Sequence, residues 1–121
     1  MLAYKNRIAL ILACLLFGAG NTAYPHAVVT ESSLAHEPVK PGHATTVVLF
    51  FNADVELKLS RVFLVSAGDV HQPVDIARGE KPGELRIRLP ALKPGDYAIT
   101  YKIFAADGHL TESALRFHVA E

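Results

Sequence analysis

Residues 84–89, Glu84-Leu85-Arg86-Ile87-Arg88-Leu89, alternate strictly between polar and apolar side chains. A period of two puts Leu85, Ile87 and Leu89 on one face of an extended strand and the charges on the other. Less regular versions of this signature recur along the chain. Residues 44–51 and 61–65 are rich in β-branched and aromatic side chains and show no helical period. Residues 96–104 and 113–119 add two further runs, and residues 26–33 supply a first one. Residues 70–76 read as another strand, interrupted by Pro73, which cannot donate to a ladder and so marks a sheet edge. Residues 54–59 fit either one helical turn or a loop.

Between these runs stand Lys40-Pro41-Gly42, Ala67-Gly68-Asp69, Lys81-Pro82-Gly83, Lys93-Pro94-Gly95 and Asp107-Gly108. Pro presets one turn dihedral and Gly accepts the positive one, so each Pro-Gly predicts a reversal of the chain. About seven short strands separated by such turns predict an all-β fold, an antiparallel sandwich. The chain shows no internal repeat and no low-complexity tract.

One stretch breaks the pattern. Behind Lys5 and Arg7, residues 8–19 form an unbroken apolar run of twelve. A membrane-spanning helix needs about 20 residues, whereas the h-region of an export signal needs fewer. We read residues 1–25 as a signal peptide with cleavage near 20–25, and residues 26–121 as one domain with no stable membrane insertion once the signal is removed. Gly18 and Gly20 favour a cut after Gly20, and Pro25 disfavours one directly before His26. Cys14 is followed by Leu15, Leu16 and Phe17, an ordinary h-region rather than a lipidation site.

Composition narrows the function. Setting aside Lys5 and Arg7, ten basic residues face twelve acidic ones, a net charge of −2 with neutral histidines. No basic field is present to hold nucleic acid. The one Cys and the one Met are Cys14 and Met1, so the domain has neither a disulfide nor a sulfur ligand. A blue-copper centre needs a Cys thiolate, and a thioether Cu(I) site needs Met. All six histidines lie at residue 26 or beyond. A transition metal bound here takes nitrogen and oxygen, which suits Cu(II).

The candidate donors are His26 at one end of the domain and Asp107-Gly108-His109 near the other. Asp107 and His109, two apart across a tight turn, can offer one carboxylate oxygen and one imidazole nitrogen to a single ion. Alone, the tripeptide fits a plain Asp-Gly hairpin with a solvated His beside it better than a metal site. His36 and His43 flank a Pro-rich loop, and either could join the site if that loop folds toward His26. His71 and His118 read as surface positions, and Asp69, Asp75 and Glu80 as solvated charges. Tyr97 is expected to pack, or to cap a sandwich corner through its hydroxyl.

Several segments resemble one family. The stretch Leu89-Pro90-Ala91-Leu92-Lys93-Pro94-Gly95-Asp96-Tyr97, then Tyr101-Lys102-Ile103-Phe104-Ala105-Ala106-Asp107-Gly108-His109, then Phe117-His118-Val119, is similar to the C-terminal half of the CopC family. These are small periplasmic copper-binding proteins of copper-resistance systems. His26-Ala27-Val28-Val29-Thr30-Glu31-Ser32-Ser33 resembles the family's start, and Val48-Leu49-Phe50-Phe51 with Ser60-Arg61-Val62 its middle. The resemblance covers essentially all of residues 26–121. It implies a Greek-key β-sandwich of the immunoglobulin-like or cupredoxin-like kind. It also implies Cu(II) held by the mature N-terminal histidine, through imidazole and amine, together with the Asp and His of the later motif. Carried over by position, these ligands are His26, Asp107 and His109.

Two positions depart from the family pattern. Many members carry Glu where this chain has Ala53; Asp54 and Glu56 are near, but one residue along a strand points the opposite way. Cleavage after Ala23 would leave Tyr24-Pro25-His26, and Pro25 lacks the amide N–H that an amino-terminal copper site deprotonates. The function implied is a Cu(II) carrier or buffer in copper resistance or uptake, not an enzyme, that passes its ion to an inner-membrane copper transporter. The competing readings are a metal-free β-sandwich interaction module of the envelope and a copper-dependent oxidoreductase.

Overall fold

The computed structural model describes residues 27–121; residues 1–25, expected to be a signal peptide, and His26 lie outside the described residues. The predicted alternation is seen directly in burial. Leu85, Ile87 and Leu89 are sealed from solvent while Arg86 and Arg88 are exposed. Eight strands form among the described residues: β1 (Val29–Ser32), β2 (Thr45–Phe51), β3 (Arg61–Ser66), β4 (Val70–Pro73), β5 (Asp75–Arg78), β6 (Glu84–Leu89), β7 (Gly95–Phe104) and β8 (Leu110–Val119). They build two four-stranded antiparallel sheets, ordered β1-β2-β6-β5 and β4-β3-β7-β8.

The eighth strand comes from residues 70–76, expected as one edge strand. Pro73 ends β4, and the chain crosses at Val74 from the edge of one sheet to the edge of the other. Without an N–H, Pro73 cannot extend the ladder, whereas Val74 N–H donates 3.1 Å to Val62 O and pins the crossing. The first strand is shorter than expected, because Ser32 caps a 3₁₀ turn at Ser33–Ala35. β8 begins three residues earlier than the sequence suggested. Residues 54–59 resolve into a single bridge, Val55 to Ala105, followed by one turn in which Ser60 N–H reaches Glu56 O at 3.1 Å.

The inner faces interdigitate into one core. Val47, Leu49 and Phe51 of β2 and the apolar row of β6 meet Val62 and Leu64 of β3 and Ile99, Tyr101 and Ile103 of β7. The Phe51 and Tyr101 rings cross the interlayer gap edge to face, 5.7 Å apart. Removing one such Leu or Ile side chain costs about 2–5 kcal/mol, so with no sulfur staple this core carries the fold. Glycines of all five turn signals take positive φ, from 78° to 151°. Tyr97 fulfils both expectations: its ring stacks on Phe117 and its hydroxyl donates to Lys93 O at 2.8 Å.

Candidate metal centre

The register of the strands decides which residues can share an ion. β1, β3, β6 and β8 begin, and β2, β5 and β7 end, at one end of the sandwich. The Asp-Gly-His turn joins β7 to β8 at that end. Gly108, at φ 89°, takes the conformation an L side chain avoids. Its N–H donates to Ala105 O, and Ala105 N–H donates to His109 O, both at 2.9 Å.

Within the turn Asp107 and His109 meet. One carboxylate oxygen of Asp107 accepts His109 N–H at 3.0 Å, and the other lies 2.8 Å from His109 Nδ1. The His109 backbone N–H first, and its ring second, hold the Asp107 carboxyl below its ordinary value. A carboxylate acceptor at Nδ1 assigns the ring proton to that nitrogen, and Nε2 then carries the lone pair a metal needs. Both side chains are part-exposed, 37% for Asp107 and 43% for His109, so an ion can reach them from solvent.

Residues 52–55 brace this turn from the other sheet. Asp54 O accepts Ala106 N–H at 3.0 Å, and Glu56 N–H donates to Phe104 O at 2.8 Å. Ser60, 1% exposed, donates its hydroxyl to Glu56 O at 2.8 Å and accepts Phe104 N–H at 3.1 Å. The same segment fastens the start of the described chain. Asn52 Oδ1 accepts Val28 N–H at 2.7 Å, and Asn52 N–H donates to Val28 O at 3.0 Å. Ala27, next in line, is completely buried. Residue 26 is bonded to Ala27, with consecutive Cα atoms about 3.8 Å apart. Asn52 and Asp54 are themselves separated by at most about 7 Å of chain. The beginning of the domain and the Asp-Gly-His turn therefore flank one short segment.

Sequence reasoning missed Asn52 and Ser60. Each is a polar residue at the edge of an apolar strand, indistinguishable in one sequence from an ordinary loop residue. Asp54 does not supply the carboxylate missing at Ala53. Asp54 is committed to Arg78, 2.8 Å away, and to Val55 N–H. The Val55 N–H first, and then the Arg78 charge, depress its pKa.

The other histidines are elsewhere. His71 contacts Asp69 and His118 contacts Asp96, both at 2.7 Å, pairs resembling that of His109 and Asp107. Asp69 lies in the β3–β4 hairpin, while Asp96 and His118 sit where β7 begins and β8 ends. Both pairs are thus at the opposite end of their sheet, on the surface as expected. His36 and His43 line a groove of about 450 Å³ together with Glu37 and Lys40. That groove adjoins Thr45, where β2 begins, and so does not approach the Asp-Gly-His end. Among the described residues no three His, Cys, Asp or Glu gather closely enough to hold a metal ion. Asp107 and His109 by themselves offer two donors, and the start of the described chain is fastened to the same 52–55 segment that braces their turn. Among the described residues no helix is long and apolar enough to cross a membrane.

Residues 29–120 match the model of the CopC domain. No curated protein matches the chain. Among solved structures it is similar to CopC from Methylosinus trichosporium OB3b, with 22% identity, 78% of this chain and 94% of that one covered, and a TM-score of 0.65. It is also similar to PcoC from Escherichia coli, a methionine-rich copper resistance protein, at 21% identity, 78% and 98% coverage and a TM-score of 0.57. The selenomethionine form of PcoC gives 20% identity, 76% and 98% coverage and the same TM-score, 0.57. At these identities the likeness establishes the sandwich.

Proposed function

The chain belongs to the CopC family, and from that premise we propose that it is a periplasmic Cu(II)-binding protein, a carrier or buffer rather than an enzyme. His26, Asp107 and His109 are its ligands. One observation supports this most: the 52–55 segment holds both the start of the domain and the Asp-Gly-His turn. Two imidazoles and a carboxylate, with no sulfur, form a donor set that favours Cu(II) over Cu(I). Each Asp107 oxygen accepts one hydrogen bond from His109 and keeps a second lone pair, so the carboxylate can both orient the ring and reach an ion.

Binding requires neutral imidazoles. Protons therefore compete with the ion for the imidazole nitrogens, and affinity falls on acidification. A site on a solvent-facing turn takes up and releases copper without a large rearrangement, as a carrier needs, and an inner-membrane copper transporter is the recipient this reading implies. Calorimetric titration with Cu(II) tests it. One ion per chain is expected, and His109→Ala should weaken binding by more than the roughly 10–100-fold a merely orienting group contributes. A titration that stays flat in the unaltered protein would favour the metal-free envelope module instead.

A further inference from the structure

Edge strands expose unpaired N–H and C=O groups, and proteins usually blunt them with short length, Pro, bulges or covering chain. Three of the four edges here follow that rule. β1 has four residues and an irregular register between Val29 and Glu31. β4 has four and ends in Pro73, and β5 has four. β8 does not follow it. It runs ten residues with no Pro and no Gly, pairs with β7 in ten consecutive steps without a shift and, among the described residues, is hydrogen-bonded on that side only. Its free edge is about 34 Å long.

The side chains of β8 suit one occupant. Leu110, Glu112, Ala114, Arg116 and His118 all point outward and are exposed. We propose that β8 pairs antiparallel with β8 of a second copy of this chain, about a two-fold axis through Ala114, joining two four-stranded sheets into one of eight strands.

Antiparallel neighbours put opposed side chains on the same face. A two-fold axis normal to the sheet must therefore pass through a residue, not between two. Centred on Ala114, it sets Glu112 of each copy against Arg116 of the other, giving two ion pairs, with small Ala114 meeting itself on the axis. Moving the axis to Glu112 or Arg116 would oppose like charges instead. The Ala114 register also pairs nine residues of each strand, nearly the whole edge. It lays the half-buried Leu115 and Phe117 against the partner's Ser113 and Thr111, covering apolar surface the monomer leaves at its rim. The two Asp-Gly-His turns end up at opposite ends of the paired strands, so this assembly does not depend on copper.

Sedimentation velocity of the protein in chelator, over rising concentration, tests the proposal. A dimer is expected. Glu112→Arg and Arg116→Glu, each alone, should weaken self-association by about tenfold or more, because each turns both ion pairs into repulsions. An equimolar mixture of these two variants should restore the dimer, as should the double variant. The present partner of Glu112, Lys102, is 3.8 Å away with both groups exposed, so the substitutions leave the monomer fold intact, which circular dichroism verifies. Ala114→Glu, at a site exposed in the monomer, provides a second disruption by placing two carboxylates on the axis. A protein that stays monomeric, a dimer indifferent to the single variants or to Ala114→Glu, or a mixture that fails to recombine would overturn the proposal.

Discussion

Ser60→Ala should loosen the support of the Asp-Gly-His end out of proportion to the one oxygen it removes. Ser60 is 1% exposed and joins two segments, donating to Glu56 O and accepting Phe104 N–H. The two losses are unequal. Glu56 O keeps the N–H groups of Leu59 and Ser60, at 3.2 and 3.1 Å, so its satisfaction survives. Phe104 N–H keeps no such substitute, and an orphaned buried donor costs about 1–3 kcal/mol. The cavity is a single hydroxyl and adds little. For a domain of this size each kcal/mol lowers the melting temperature by roughly 4–8 °C, so a drop of about 4–24 °C is expected. Urea unfolding should show a lower midpoint with an unchanged slope, since the exposed surface is the same. A loss below about 0.5 kcal/mol, the range of ordinary surface substitutions, would refute the view that Ser60 clamps β7 to the 54–60 segment.

Gly83→Ala should destabilise far more than Gly108→Ala: both sit at positive φ, but a Cβ at Gly83 would lie 2.4 Å from Phe51 O, whereas at Gly108 it meets nothing. Left-handed strain alone costs about 1–2 kcal/mol, so thermal melts should put Gly108→Ala in that range and Gly83→Ala well beyond it. Thr111→Val should be neutral or stabilising by about 1 kcal/mol in urea unfolding, because Thr111 Oγ1 is buried without a hydrogen-bond partner. Asp54 and Asp107 both have depressed pKa values. Each contributes stability that is complete above the unfolded aspartate value, near 3.9, and lost as pH falls through the lower folded value. The urea midpoint should therefore hold down to about pH 5 and fall below pH 4, and Asp54→Asn should make that fall shallower. Asn52→Ala removes the acceptor of Val28 N–H; copper calorimetry should show weaker binding, while the melting temperature moves little because the bond is exposed.

What the sequence made legible follows from how each feature is encoded. Alternation in residues 84–89 and the Pro-Gly turns are local signals, and the structure reproduces both. The split of residues 70–76 into two strands on different sheets is not local. Pro73 announces an interruption but not where the chain goes next, which depends on Val74 reaching Val62 across the gap. The pairing of Asp107 with His109 was readable from their spacing across Gly108. By that same criterion Asp69 and His71 look equally suitable, and only strand register separates the end that holds Asp107 and His109 from the far end. Asn52 and Ser60 were invisible for a related reason, since their roles depend on partners 24 and 44 positions away.

Electron paramagnetic resonance of the protein loaded with one equivalent of Cu(II) would test most directly whether the two ends of the domain share an ion. A tetragonal spectrum with nitrogen superhyperfine structure is predicted. His26→Ala and His109→Ala should each reduce that structure, while His71→Ala and His118→Ala should leave it unchanged. A spectrum that survives loss of His26 or His109, or that changes when His71 or His118 is removed, would contradict the assignment.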